Sequence, residues 1–356
     1  MTALLEIDLG AIADNWRLLD SMHPGATAGV VKADAYGLGA VQVAPALLAA
    51  GCRHFFTATF AEAYAIRACV PGAMLAVLNG VQAGEVAEFS AQDIIPVLAT
   101  LEQLATWRAQ AIRLGRALPA ILQIDTGMSR LGLSMADAEL VRLEPARLEG
   151  LRLDYILSHL ASPEQPQNPQ NATQAARFAR VMQGFPGIKT SFANSSGMFL
   201  GPEFFSHLTR PGAALYGVNP TPGCANPMRP VVRLHAPILQ IRDLKVGDPV
   251  GYNGIWTAQR PSRIAVLGFG YADGFMRALS NAAIARFDDA PVPLVGRVSM
   301  DLTNFDVTDV TAKTGDWLEL LGPVHGVDAL AAQAGTIGYE ILTSLGRRYQ
   351  RHYLGV

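Results

Sequence analysis

The chain has 356 residues, half of them hydrophobic and 16% charged, with 28 Lys and Arg against 30 Asp and Glu. That length exceeds one small core and predicts about two domains, while the formal charge of −2 and the lack of any block of like charges exclude a nucleic-acid footprint. Cys52, Cys69 and Cys224 are too scattered for a disulfide framework, and the seven histidines show no zinc-ligand spacing. No apolar run approaches the roughly 18 residues of a membrane span, and the first residues carry Glu6 and Asp8 in place of a signal pattern, so a soluble, cytoplasmic protein is expected.

In chain order, Leu4–Asp8 alternates as a short strand, and a helix follows over about Ala11–Leu19. Ala26–Val31 is an apolar strand, and Val41–Ala50 has a helical pattern that ends at Gly51. A rhythm of strand, turn and helix then sets in. Its strands are His54–Ala58, Ala73–Leu78, Asp93–Leu98, Ala120–Asp125, Leu153–Ser158, Lys189–Ala193 and Leu208–Arg210, eight with the first. Helices are clearest at Phe60–Ala68, Leu101–Leu114 and Asn171–Met182; in the last, Ala175, Phe178 and Met182 share one face. Short apolar strands alternating with helices predict a parallel sheet, and eight such units predict a closed (β/α)8 barrel of the TIM type.

Pro220, Pro222, Pro227 and Pro230 mark a linker. Beyond it the pattern is β-rich: Val231–Leu234, Ile238–Ile241, Ser262–Leu267, Val292–Val298, Leu302–Val307 and Trp317–Leu320, with late helices near Val327–Ala334 and Tyr339–Leu345. The expected organisation is a barrel over 9–222 and a mainly-β domain over 223–356, to which the strand at 1–8 is added. No internal repeat or low-complexity tract is present.

In a β/α barrel the chemistry lies at the carboxyl ends of the strands. The first strand runs into Val31-Lys32-Ala33-Asp34-Ala35-Tyr36-Gly37. Lys32 either snorkels to solvent or uses its amine to form a Schiff base with an aldehyde such as pyridoxal phosphate (PLP). Later strand ends carry Arg130, Ser158-His159, Asn194-Ser195-Ser196-Gly197 and Arg210-Pro211-Gly212-Ala213. Each has a plain structural alternative: a hydrogen-bonded histidine, a helix cap at Asn194-Ser195, a surface ion pair for Arg210. Gly268-Phe269-Gly270 lacks a correctly spaced third glycine for a nucleotide loop, since Gly274 is misplaced. Together, a lysine, a tyrosine, a histidine, two arginines, a serine and free amides around one rim could bind a phosphorylated aromatic aldehyde.

Seven ordered motifs resemble those of the bacterial alanine racemases, which are fold-type III PLP enzymes. They are the Lys32 run, Asp125-Thr126-Gly127-Met128-Ser129-Arg130-Leu131-Gly132, Ala193-Asn194-Ser195, Arg210 through Gly217, Gly251-Tyr252, Gly270-Tyr271-Ala272-Asp273-Gly274 and Gly296 through Asp301. The resemblance implies a homodimer that interconverts L- and D-alanine with PLP, for peptidoglycan supply or alanine catabolism. Lys32 would hold PLP and serve as one base. Tyr252, supplied across the dimer interface, would be the base on the opposite face. Tyr36, Ser195 and the amides of Gly212 and Ala213 would bind the phosphate, with Asn194 also at the cofactor, Arg210 at the pyridine nitrogen and His159 against the ring. Arg130 would lie near the phenolic oxygen and the substrate carboxylate. From the second subunit, Met300 and Asp301 would close over that carboxylate, with Tyr271, Arg277 and Arg297 at the entrance. No metal is implied.

Four positions depart from the family pattern. Gln123 stands where many relatives have a carbamylated lysine, so no carbamate is expected, and its amide oxygen could accept from Arg130. The usual phosphate-binding tyrosine near the C-terminus aligns with Arg347, which could bind the phosphate in its place. Ser299 stands where cysteine is common, and Ser191 replaces a frequent histidine behind Arg210. Among competing readings, a decarboxylase of this fold type is opposed by Arg210 and Tyr252, and a PLP carrier protein by the β domain. A racemase of broader specificity is the alternative, because one or two methylenes are worth only about 1–3 kcal/mol of discrimination.

Overall fold

The computed structural model describes residues 2–355. A parallel sheet of nine segments closes on itself through its first strand. That strand is interrupted at Ala28. Its first half, Ala26–Thr27, pairs with Leu208–Arg210, and its second half, Gly29–Val30, pairs with His54–Thr57. Between them run Met74–Val77, Ile95–Leu98, Leu118–Gln123, Leu151–Leu157 and Lys189–Asn194, each parallel to its neighbour. With the two halves counted as one strand, the ring has the eight expected. Side chains on both faces of these strands, Phe55, Phe56, Leu75, Ala76, Ile121 and Leu122 among them, are wholly buried, which is why the strands read as continuous apolar runs.

The outer helices show ordinary capping logic. Phe60–Arg67 starts at Thr59, whose hydroxyl accepts from Glu62 N while the Glu62 carboxylate reaches back to Thr59 N. Leu101–Leu114 starts at Thr100 and ends at Gly115 in the left-handed region. Pro169–Met182 buries Asn171, Gln174, Phe178 and Val181. The buried stripe is therefore rotated by one residue from the expected Ala175–Met182 face, because Gln174 is drawn inward by three hydrogen bonds.

From Val218 to Val231 there is no regular element. A second, eight-stranded sheet follows. Its centre is Val232–Leu244, a single strand where two were expected; Pro237 lies inside it, and the pairing register shifts on both sides of that residue. Leu4–Asp8 pairs antiparallel with its first half and parallel with Gln350–Leu354, a strand absent from the sequence reading. Ser262–Leu267 pairs with its second half and with Thr303–Asp306. Ile284–Phe287 and Ala290–Pro293 form a further hairpin, and Pro249–Val250 with Trp256–Thr257 frames a short turn that carries Tyr252. The helices Val327–Ala334 and Gly338–Ser344 return towards the barrel mouth. No described helix is long and apolar enough to cross a membrane.

Candidate active site

A cavity of about 680 Å³ opens at the carboxyl ends of the barrel strands. Lys32, Tyr36, Arg130, His159, Asn194, Ser195, Arg210, Gly212 and Ala213 line it, residues from five separate strand ends. Ile337, Tyr339, Glu340 and Thr343 from the late helix complete its wall.

Lys32 opens a turn of unusual hand. Ala33, Asp34, Ala35 and Tyr36 all have φ between +51° and +55°, followed by Gly37 at +82°. Left-handed backbone costs roughly 1–2 kcal/mol per non-glycine residue, so this turn needs support from outside itself. Ala35 N and Gly37 N donate within the turn, to Val31 O at 2.9 Å and Ala33 O at 2.7 Å. Glu62 Oε1 accepts from Ala33 N at 2.9 Å, and Asp34 Oδ1 accepts from Ala40 N at 2.8 Å. Arg351 donates to Gly37 O at 2.7 Å, and Tyr353 Oη to Leu38 O at 3.1 Å. Burial and the Arg130 charge lower the Lys32 pKa, against a smaller upward pull from Glu62. A less basic amine is a better nucleophile towards an aldehyde near neutral pH.

Arg210 is buried, and among the described residues no carboxylate pairs with it, so it is not the surface ion pair expected as its plain alternative. Its guanidinium donates to Ser191 Oγ at 2.5 Å and to the carbonyls of Ser158 and Phe192 at 2.6 and 3.4 Å. Burial lowers its pKa to about 10, which leaves it charged at neutral pH. His159 is pushed in the same sense, to about 3, by burial and by the charges of Arg210, Arg130 and Lys32. It therefore presents a neutral, planar ring to the cavity. Its backbone is held by Gln174, which donates to His159 O at 2.9 Å and to Thr126 Oγ1 at 3.2 Å.

The other end of the cavity presents hydroxyl groups. Ser195 Oγ, buried, accepts from Gly212 N at 3.0 Å and Ala214 N at 3.2 Å. Both lone-pair directions are then used, and its proton is left for an acceptor in the cavity. The Gly212 amide is thus engaged by Ser195 and does not itself face the cavity unpaired. Asn194 Oδ1 caps Gly197 N at 3.0 Å, so its side chain orients the loop. The Tyr36 ring packs at a tilt against those of Tyr216 and Tyr339, with ring centroids 4.7 and 6.1 Å away. A Cβ at Gly212 would collide with Tyr36 Oη. Only glycine lets the phenol and this backbone approach so closely.

Two expectations need correction. Arg347 is exposed and does not line the cavity; the aromatic in that wall is Tyr339, whose hydroxyl donates to Glu164 Oε1 at 3.4 Å. The helix starting at Gly338 turns Tyr339 inward eight positions earlier in the chain, and an aromatic at a helix start was the available signal. Gln123, in turn, does not accept from Arg130. Its Nε2 donates to Leu131 O at 2.9 Å, holding the backbone next to Arg130.

Tyr252, Met300 and Asp301 are exposed, with Tyr252 68% accessible, and Tyr271 is exposed beside them. None of the four lines the cavity of its own chain. Among the described residues no cluster of His, Cys, Asp and Glu could hold a metal ion.

The cavity and this sequence have close counterparts. Residues 7–220 match the model of the alanine racemase N-terminal domain, and residues 231–353 that of the C-terminal domain. An alanine racemase of Acidiphilium cryptum is 55% identical over 348 residues, 98% of this chain and 97% of the relative. A catabolic alanine racemase of Agrobacterium fabrum is 45% identical over 98% of this chain and 92% of its own length. Among solved structures, alanine racemase from Bartonella henselae with covalently bound pyridoxal phosphate superposes with a TM-score of 0.96 at 42% identity, covering 99% of this chain and all of that one. The chain belongs to the alanine racemase family.

Proposed function

We propose that this chain interconverts L- and D-alanine with PLP bound in the barrel cavity, Lys32 holding the cofactor. The convergence of Lys32, His159, Arg210, Tyr36 and Ser195 on one cavity carries the reading. Its two ends match the two ends of PLP. Tyr36 and Ser195 offer hydroxyl protons at the phosphate end, with Tyr339 in place of Arg347 beside them. Arg210, charged and held by neutral acceptors, would face the pyridine nitrogen, and the neutral His159 would lie against the ring.

When bound, PLP supplies the electron sink that makes the substrate Cα proton labile. The rest falls to the protein. Because Arg210 keeps its own proton, it would donate to the pyridine nitrogen and leave that nitrogen unprotonated, which would limit the sink and with it side reactions such as transamination. Racemisation requires a proton removed from one face of Cα and returned to the other, and one fixed group cannot easily serve both faces. Lys32 Nζ serves the cavity face. The second base we assign to Tyr252 of the partner subunit in a homodimer. Its exposure outside the cavity of its own chain supports that assignment, as does the matching exposure of Tyr271, Met300 and Asp301. Arg130 and the rim around Met300 and Asp301 would hold the substrate carboxylate. The barrel unit and the β-rich unit would divide near residue 222.

The test is visible absorbance of the purified protein before and after borohydride, with mapping of the pyridoxyl label. A label on Lys32 is expected; a colourless protein, or a label elsewhere, refutes the cofactor assignment. Mixing Lys32→Ala and Tyr252→Phe chains should restore one intact site per mixed dimer. No recovery despite demonstrated subunit exchange refutes the shared site.

A further inference from the structure

Outside the cavity, the exposed side chain of Arg348 makes three hydrogen bonds beside the candidate site residues. Its Nε and Nη2 donate to Asp273 Oδ1 and Oδ2, each at 2.8 Å, and its Nη1 donates to Asp301 Oδ1 at 2.7 Å. One planar guanidinium thus spans two carboxylates, forked on one and single on the other. The two differ in kind. Asp273 is buried and Asp301 is exposed.

Asp273 is itself fixed. Its Oδ2 accepts from Gly270 N at 2.9 Å, and its carbonyl accepts from Gly346 N at 3.0 Å and from the Tyr349 hydroxyl. Tyr271 N and Ala272 N donate to Ser299 O and Met300 O at 3.0 Å, and a Cβ at Gly270 would collide with both of those carbonyls. The 270–274 loop and the 299–301 loop are therefore locked together at the backbone. Asp301, at the outer end, depends on Arg348 for its side-chain anchor: no other hydrogen bond to its carboxylate is present among the described residues.

We propose that Arg348 is a positioning residue for the substrate site of the partner subunit, acting through Asp301 and the loop that carries Tyr271 and Met300. The proposal rests on the shared-site reading above. An exposed ion pair by itself contributes little stability. Here the forked bond to a buried carboxylate fixes the guanidinium, and the third bond transmits that fixed position to a side chain with no other tether. The role predicts weaker binding of the substrate carboxylate with the proton-transfer machinery intact.

Arg348→Ala should raise KM for L-alanine about ten-fold while kcat stays within about three-fold, in protein shown to be dimeric and to carry its full complement of cofactor by absorbance. Arg348→Lys, which keeps the charge and loses the fork, should fall between. KM unchanged in both variants overturns the proposal, and should Arg348→Ala fail to fold, Arg348→Lys decides. Direction is read from mixed dimers of differently tagged chains. A chain with both Lys32→Ala and Arg348→Ala, paired with an unaltered chain, leaves one lysine-bearing site facing a rim without Arg348; its KM should be raised. The same two substitutions on opposite chains leave the lysine-bearing site facing an intact rim, and KM should be that of the unaltered protein. The reverse pattern, or equal KM in both, overturns the proposal. Recovery in the Lys32→Ala and Tyr252→Phe mixture together with an unaltered KM in the first mixed dimer removes Arg348 alone; absence of that recovery removes the shared site.

Discussion

Gly212→Ala tests the proposed phosphate end of the cavity with a single methyl group. Gly212 has a φ of −123°, outside the left-handed region, and an added Cβ there meets a neighbouring side chain directly. The added Cβ would overlap Tyr36 Oη and lie 2.9 Å from Cζ and 3.3 Å from Cε2. Tyr36 cannot shift freely, because its backbone is locked in the left-handed turn and its ring is packed against Tyr216. The cofactor-free protein relieves the overlap by swinging the phenol out of place. Binding the phosphate then requires its return against the methyl, an overpacking cost of about 1–3 kcal/mol. That corresponds to a loss in PLP affinity of about five- to 150-fold. Reconstitution of cofactor-stripped protein, followed by absorbance as PLP is titrated, gives the number directly. An affinity within two-fold of the unaltered protein would refute the claim that the Gly212–Tyr36 contact shapes the phosphate end.

Two further substitutions probe the elements around Lys32. Glu62→Ala removes the acceptor for Ala33 N, Ala58 N and Thr59 N at once; a stability loss of about 1–3 kcal/mol and lower cofactor occupancy are expected by calorimetry and absorbance, and an unchanged melting temperature would show that the left-handed turn does not depend on Glu62. His159→Gln tests the depressed histidine. Its folded-state pKa of about 3 lies below the unfolded value near 6.5, so the unfolded chain binds more protons between these values and stability is lost as pH falls through that window. Between pH 7 and pH 5 this amounts to about 2 kcal/mol. The Gln variant, which cannot protonate, should lose correspondingly less stability over the same interval; an identical loss would place the acid sensitivity elsewhere.

The barrel was legible because its strands are buried on both faces, and an apolar run bounded by turn residues announces such a strand without help from distant contacts. The strand Val232–Leu244 was read as two because Pro237 ordinarily breaks a ladder, and only its irregular pairing accommodates it. Gln350–Leu354 was missed because its exposed alternation of polar residues resembles a tail; its parallel partner, Leu4–Asp8, lies at the other end of the chain. Within the site, Lys32, His159 and Arg210 followed from strand ends. Tyr339 did not, since its approach to the cavity depends on how a helix far along the chain docks on the barrel. The left-handed run Ala33–Tyr36 was illegible for a deeper reason: neither Ala nor Tyr favours it, and Asp visits that region only as a single residue.

That run shows how the parts of the site depend on one another. A Cβ at Gly37 would collide with Leu342 O of the helix Gly338–Ser344, and one at Gly39 with the Tyr353 hydroxyl. Gly37 O and Leu38 O are bonded by Arg351 and Tyr353, on the strand that pairs with Leu4–Asp8. The same helix brings Tyr339 to within 6.1 Å of the Tyr36 ring, measured between centroids. So the turn that aims Lys32 is clamped on one side by Glu62 of the barrel and on the other by the last strand and helix of the chain. An isolated barrel would retain the residues at its strand ends but lose half of the contacts that offset the left-handed backbone. The second sheet is therefore needed twice, by different routes. Within its own chain it holds the lysine turn in shape, and in the proposed homodimer the loops it leaves exposed, around Tyr252 and Met300, would complete the site of another copy.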